Sequence, residues 1–440
     1  MSANGNMDIF GRTFACECGK THSVKPREVL YARGAVEKLP EICARAASGR
    51  RAAALMDERT RRVAGRDACR ALAQDSWLVS ELSVPDPPGG GSPVCDDVTK
   101  EKLAAQVGAV DLVVPVGSGV LTDLGRWLAT ERGLPFVSFA TAASMNGYAS
   151  SIVAPTLKGV KTVVWAAPPI AVAADPAVIE RAPWELTASG LGDILAKPVS
   201  SADWRMNGLL FGDYYCRRAV NLIADIEPLY MNDPEGLRAG SPKAIGALFQ
   251  GLILTGVAMN MAETSAPCSG AEHMVSHALD MMSSLDGVAH DLHGRQVGIG
   301  TLLTSEIYRR VLAVESPQFV APRASVDREF WGRLADGVAE QYEGKIQRLR
   351  LAAENLAKGE AWDRMREALA PMLISPEAIR ECLARAGAAF RAGDIRCSEE
   401  RLLTALLHAH EIRSRFSILD LARLIGIMPR AAAEIVETWS

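Results

Sequence analysis

A chain of 440 residues exceeds one typical domain, so two folding units, each burying its own core, are expected. Its 48 basic and 52 acidic residues are interleaved and leave a net charge of −4, which offers no basic stripe for nucleic acid and points to a small-molecule partner. The nine cysteines are scattered and odd in number, no secretory leader is read, and the apolar runs around Leu112–Val116 and Val163–Val172 are broken by Gly, Pro or charge; a cytoplasmic protein without membrane insertion is expected.

Near the start, Cys16-x-Cys18 followed by His22 invites a metal reading. A structural zinc site needs a fourth ligand, however, and the common CxxC spacing is absent, so the segment is set aside. Arg51–Met56 runs from basic residues through an apolar stretch into Asp57, the pattern of a buried parallel strand with a polar tip. Pro and Gly mark Val84–Pro93 as a loop, a helix is expected over about Asp97 to Val107, and Asp111–Val116 reads as a second strand. The amphipathic segment Leu121–Arg132 and the strand Pro135–Phe139 complete a βαβ unit.

From Pro183 onward Ala, Leu, Met and Arg recur at three- and four-residue spacing, which predicts helices. Phe330–Ala357, Ser375–Ala392 and Ser398–Arg413 are the longest, with Ser375-Pro376-Glu377 and Ser398-Glu399-Glu400 as starts. The fold class is thus an α/β N-terminal domain over residues 1–180 and an all-α C-terminal domain over 181–440, with the boundary between Asp175 and Pro183.

Four of the seven histidines fall in Ser269-Gly-Ala-Glu-His273-Met-Val-Ser-His277 and His290-Asp-Leu-His293-Gly294. On a helix His273 and His277 project from one face, and a second element must bring His293 back. Imidazoles with one carboxylate leave a divalent metal (zinc, iron or nickel) an open position for water or substrate. Asp193, in Ser189-Gly-Leu-Gly-Asp193, supplies the carboxylate at what reads as a glycine-rich loop opening a helix. Paired helical histidines are also often solvated or core residues. Val116-Gly-Ser-Gly119-Val-Leu-Thr-Asp123 follows a strand and opens a helix, where backbone N–H groups can cradle a pyrophosphate. The third glycine of the usual dinucleotide fingerprint is missing and Asp57 precedes the turn, so an ordinary tight turn is the competing reading. Ser138–Ser150, rich in small hydroxyl residues, could wrap a ribose or nicotinamide or be a plain loop. His408 and His410 read as surface or packing residues.

Taken in order, the GSG turn, TAASMNGYAS, SGLGD, SGAEHMVSHALD and HGRQVGIG resemble the glycerol-1-phosphate dehydrogenase family, within the superfamily of iron-containing alcohol dehydrogenases and dehydroquinate synthases, over about residues 15–310. The resemblance implies a nucleotide-binding α/β domain, a helical metal-binding domain and an active site in the cleft between them. It implies Asp193, His273 and His293 as ligands of one divalent metal ion, and Asp193 and His277 as substrate contacts. It implies Asp57, Gly119, Val120, Leu121, Thr122, Asp123, Thr141, Ala142, Ala143, Ser144 and Ser150 as NAD or NADP contacts. The reaction implied is reduction of dihydroxyacetone phosphate to sn-glycerol 1-phosphate, with His277 relaying a proton or binding substrate.

Asn146 stands where the family pattern usually has a substrate-contacting Asp, keeping size and hydrogen bonding but losing charge. A carboxylate at Asp57 favours NAD over NADP, and the nearby Arg59 blunts that preference. Lys158 and Lys161 could offset a substrate phosphate, although a solvated hairpin is the plainer reading. The alternatives are a dehydroquinate-synthase-like lyase, which would need a basic cluster that the sequence does not display, a polyol dehydrogenase, and a non-catalytic metal- or nucleotide-binding relative. A homo-oligomer is compatible with all of them.

Overall fold

The computed structural model describes residues 7–87 and 91–440; Pro88, Gly89 and Gly90 of the expected Val84–Pro93 loop lie outside the described residues. A short antiparallel hairpin comes first, β1 (Thr13–Ala15) and β2 (Thr21–Ser23). Six strands then build one parallel sheet: β3 (Glu28–Tyr31), β4 (Arg51–Met56), β5 (Leu78–Ser83), β6 (Leu112–Gly117), β7 (Val137–Ala140) and β8 (Ala171–Ala174), in the order β3-β8-β7-β6-β4-β5. β6, β7 and β8 are buried along their whole length, as strands covered on both faces must be. Successive residues of β4 feed different cores. Ala52, Ala54 and Met56 pack with Leu39, Leu72 and Trp77, whereas Ala53 and Leu55 pack with Leu103, Leu124 and Leu128.

The three expected strands are present within two residues of their predicted limits, and helices stand at Asp97–Gln106 and Gly119–Glu131. β3, β5 and β8 were not anticipated. β3 and β5 are the sheet's edges and are only partly buried, with Leu78 69% exposed, so they lack a continuous apolar run.

The chain forms two compact units. The first comprises the residues up to Lys158, Thr162–Gly190 and Arg217–Ser265; the second comprises Gly159–Lys161, Leu191–Cys216 and Ala266–Ser440. This division differs from a single boundary between Asp175 and Pro183. The segment Arg217–Ser265 joins the first unit through the helix Pro242–Ala262, whose Phe249 stacks on Tyr31 with ring centroids 5.1 Å apart. A side chain at Gly256 would meet the Asn146 carbonyl and the Ala149 amide at 2.9 Å, so that helix approaches the Asn146–Ala149 turn closely. Pro242–Ala262 is also long and apolar enough, by length and composition, to cross a membrane, a longer apolar stretch than the broken runs around Leu112–Val116 and Val163–Val172 on which the expectation of no membrane insertion rests. In its most apolar window 83% of the residues are buried, as in a core helix.

The second unit is helical, with Lys197–Phe211, Ala271–Asp286, His293–Leu312 and Ala335–Leu356 as its longest members. Ser375 and Ser398 cap helices as expected, accepting from the amides of Ala378 and Arg401. The predicted helix over Phe330–Ala357 is interrupted at Gly332, which takes a φ of 47°. His408 stacks on Phe330 at 3.7 Å and His410 is buried, so both are packing residues.

Candidate nucleotide and metal sites

In the first unit β4 and β6 are sheet neighbours, yet the chain leaves β4 for β5 on one side and returns as β6 on the other. Open parallel sheets bind nucleotides beyond the carboxyl ends of strands at such a reversal. Asp57 follows β4 there and Ser118-Gly119 follows β6, so the two sequence-predicted cofactor elements adjoin one switch point. Gly117 has no room for a side chain, since a Cβ would sit 2.3 Å from Leu121 Cδ1. Gly119 starts the helix Gly119–Glu131, whose first N–H groups face out of the turn without intrahelical acceptors. A bare turn at a helix N-terminus fits a pyrophosphate.

Side chains in this region are largely committed to the protein. Leu121 and Thr122 are buried, and the Thr122 hydroxyl lies 3.4 Å from that of Ser138. Val120, partly buried, packs against the same core as Leu121. Asp57 caps the following turn, accepting from the Thr60 amide at 2.7 Å, and also accepts from Arg59 Nε at 3.1 Å. Arg59 is held in addition by Asp86. Thr141, Ala142, Ala143 and Ser144 are all buried, with the Thr141 amide donating to the Gly117 carbonyl at 3.2 Å. A side chain at Gly190 would lie 2.0 Å from the Ala143 carbonyl oxygen.

Arg126 was not anticipated by the sequence reading. It is fully buried, paired with Asp123 at 3.2 Å, and donates to Ser150 Oγ and to the carbonyls of Gly147, Tyr148 and Ile152 at 2.5 to 2.9 Å. It thus sets the turn that carries Asn146, and the Ser150 hydroxyl serves this clamp. The only sequence signal was an acid and a base three residues apart on a helix.

The second unit gathers the metal candidates. Asp193, His273 and His293 each offer a ligand atom, all within 4.8 Å of one another. Asp193 lies in the last turn of the helix Trp184–Leu195, which corrects the reading of SGLGD as a loop opening a helix. Its glycines serve packing. A Cβ on Gly192 would be 2.1 Å from the Gly294 carbonyl oxygen and 3.3 Å from Gly298 Cα, so only glycine lets Asp193 approach the start of the His293–Leu312 helix.

The donor set argues for a cation. Glu272 Oε1 faces His273 Nδ1 at 2.8 Å and also accepts from the Gly270 amide at 2.6 Å, so Nδ1 carries the proton. His273 Nε2 then turns a lone pair toward Asp193 Oδ1 at 3.3 Å. Two acceptors at that separation need a positive charge between them, a proton or a metal. Burial lowers the proton affinity of His273, yet its hydrogen bonds to Asp193 and Glu272 raise its pKa overall. Burial and then the His273 charge pull His293 down to about 4, so its ring is neutral at pH 7 and can offer a lone pair to a cation. Ser276 Oγ sits 3.2 Å from His293 Nδ1 and is itself held by Gln296 at 3.1 Å.

His277 stacks on His293 with centroids 5.4 Å apart. Arg413 Nη2 lies 2.9 Å from His277 Nδ1, and a guanidinium only donates, so Nδ1 accepts and the neutral ring carries its proton on Nε2. That Nε2 is buried without a hydrogen-bond partner. Burial, then the Arg413 charge, hold the His277 pKa well below its usual value. Arg413 also donates to Ser269 Oγ at 2.9 Å. Glu272 and Arg413 escaped the sequence reading, the first because adjacent helix residues do not normally share a face, the second because it lies 136 residues from His277. Lys161 pairs with Asp280 at 3.7 Å. Asn146, nearly buried, belongs to the first unit.

The family model of iron-containing alcohol dehydrogenase matches residues 30–183. A glycerol-1-phosphate dehydrogenase (NAD(P)+) of Thermococcus kodakarensis is 34% identical over 283 residues, covering 64% of this chain and 78% of the relative. The enzyme of the same name from Bacillus licheniformis is 29% identical over 422 residues, 94% of this chain and 93% of the relative. Among solved structures, glycerol dehydrogenase from Schizosaccharomyces pombe aligns with a TM-score of 0.61 at 18% identity, covering 95% of this chain and 93% of its own. NADH-dependent butanol dehydrogenase A from Thermotoga maritima aligns at 0.58 and 16% identity, covering 94% and 96%. The fold is theirs, and on these similarities together with its switch-point turn the chain belongs to the glycerol-1-phosphate dehydrogenase family.

Proposed function

We propose that this chain is a metal-dependent, NAD(P)-linked glycerol-1-phosphate dehydrogenase that reduces dihydroxyacetone phosphate to sn-glycerol 1-phosphate in the cytoplasm. The observation that carries the reading is the lone-pair face of Asp193, His273 and His293, on a chain of that family. A bound divalent ion would act as a Lewis acid toward the ketone oxygen, and the nicotinamide would supply hydride.

The protein's own part is to orient and to move a proton. Glu272 fixes His273 with Nε2 toward the metal position, and Ser276 with Gln296 steadies His293. Arg413 fixes the tautomer of His277 so that Nε2–H can donate to a substrate oxygen that gains negative charge. In the first unit the Gly117–Gly119 turn binds the pyrophosphate, and Asp57 at the end of β4 receives ribose hydroxyls. Because Asp57 and Asp86 already neutralise Arg59, NAD is favoured while NADP remains accessible if Arg59 swings to its extra phosphate. Asn146 contributes a neutral substrate contact.

The test uses protein purified without an affinity tag, reloaded with zinc, iron or nickel, and mixed with NADH or NADPH and either dihydroxyacetone phosphate or unphosphorylated dihydroxyacetone. Oxidation of the nucleotide is expected with the phosphate ester and a restored metal. Oxidation with the unphosphorylated ketone alone would make the chain a polyol dehydrogenase, and none with any metal would reject the assignment.

A further inference from the structure

We propose that Cys16, Cys18, His22 and Cys216 form a structural zinc site of the Cys3His type, which anchors the N-terminal hairpin and is a different centre from Asp193, His273 and His293. One ligand atom from each of the four lies within 4.8 Å of all the others. The fourth ligand missing from the local Cys-x-Cys…His pattern is thus present, contributed from 194 residues further along the chain than His22 (216 less 22).

The local backbone is a ligand knuckle. β1 and β2 pair with Phe14 opposite His22 and Ala15 opposite Thr21. Between them the Cys16 amide donates to the Lys20 carbonyl at 2.9 Å and the Gly19 amide to the Cys16 carbonyl at 3.0 Å. Gly19 takes a φ of 85°, a left-handed conformation that turns the chain and brings Cys16 and Cys18 to one side.

The imidazole is aligned for ligation. His22 Nδ1 lies 3.0 Å from the Met261 carbonyl, which only accepts, so Nδ1 carries the proton and Nε2 presents its lone pair. That Nε2 is 3.3 Å from Cys18 Sγ. Ligand atoms of a tetrahedral zinc site, with Zn–S about 2.3 Å and Zn–N about 2.0 Å, lie roughly 3.3 to 3.8 Å apart, so the observed spacing needs only a small contraction. His22 and Cys216 are buried, whereas a surface cluster of thiols would be wet.

The residues after Cys216 are held against the same hairpin. Arg217, where the last segment of the first unit begins, donates to both carboxylate oxygens of Glu17 at 3.2 and 3.1 Å, and the Arg218 guanidinium lies 4.1 Å over the Phe14 ring. None of the nine cysteines, all of them described, is in a disulfide. Two three-residue strands cannot hold themselves folded, and a metal supplies the cross-link that so small a sheet lacks. On binding, three thiols release their protons and three thiolates with Zn2+ and neutral imidazole leave a charge of −1 beside Arg217 and Arg218.

The test counts metal and reads its ligands. Untagged protein grown with zinc is assayed by elemental analysis beside Cys216→Ser and His273→Ala variants. Wild type should hold one zinc that His273→Ala retains and Cys216→Ser loses, and the cobalt-loaded His273→Ala protein should show intense thiolate-to-cobalt absorption. In case Cys216→Ser does not fold, wild-type zinc is also titrated with a mercurial, where blocking about three thiols should release one zinc per chain. A zinc content unchanged by Cys216→Ser, or no thiolate-to-cobalt band and no mercurial-released zinc, would overturn the proposal. His273→Ala lacking turnover yet keeping this zinc separates the two centres, so failure of the dehydrogenase assignment would leave this result readable.

Discussion

Gly192→Ala isolates the packing that places Asp193. The added Cβ would stand 2.1 Å from the Gly294 carbonyl oxygen, where real Cβ atoms stay beyond 3.0 Å, so the Asp193 segment must retreat by about 1 Å. Both obstructing groups are backbone, of Gly294 and Gly298, and cannot rotate away. Metal–ligand distances tolerate only about 0.2 Å, so a retreat of that size in the residue beside Asp193 should weaken metal binding by roughly 10- to 100-fold. Overpacking should cost roughly 1–3 kcal/mol in the metal-free protein. Metal affinity is measured by competition with a chromophoric chelator, and stability by denaturant unfolding after chelation. Gly108→Ala is the control, since nothing lies within 4 Å of its Cβ position and it should change neither quantity. Wild-type metal affinity in Gly192→Ala, or an equal loss in Gly108→Ala, would refute the close-packing argument.

Glu272→Gln should weaken metal binding by roughly 10- to 100-fold through loss of the carboxylate that orients His273, read in the same competition assay. His277→Phe should keep the metal while kcat/KM falls by roughly 100-fold or more; metal loss with it would place His277 among the ligands. Arg126→Met should destabilise the protein by about 3–5 kcal/mol, since Asp123 and the carbonyls of Gly147, Tyr148 and Ile152 lose their donor; denaturant melts showing under about 1 kcal/mol would contradict the clamp. Burial, then the charge of Glu272, push the Asp203 carboxyl from 3.8 up to about 7 against donors from Tyr308, Ala271 and Ile418. The folded state then binds more protons than the unfolded one between those values, so this contribution is present below pH 4 and is lost as pH rises to about 7. In metal-free protein, Asp203→Asn should flatten that slope across a pH series of unfolding curves.

The sequence by itself determined the elements whose signal is local. The buried runs Arg51–Met56, Asp111–Val116 and Pro135–Phe139 read as strands because parallel strands covered on both faces are continuously apolar, and Ser375 and Ser398 read as caps because a hydroxyl beside free amides is a short-range interaction. The motif order also carried the family. Tertiary structure alone decided what depends on distant residues. Edge strands β3 and β5 are strands only because β8 and β4 pair with them. Pro242–Ala262 is a core helix only because a folded unit buries it. Glycines that resembled a loop in SGLGD instead permit a backbone contact with Gly294 that no local pattern encodes. The same reason accounts for Arg413 on His277 and Cys216 beside Cys16: each partner lies more than a hundred residues away, and only folding brings the two ends of such an interaction together.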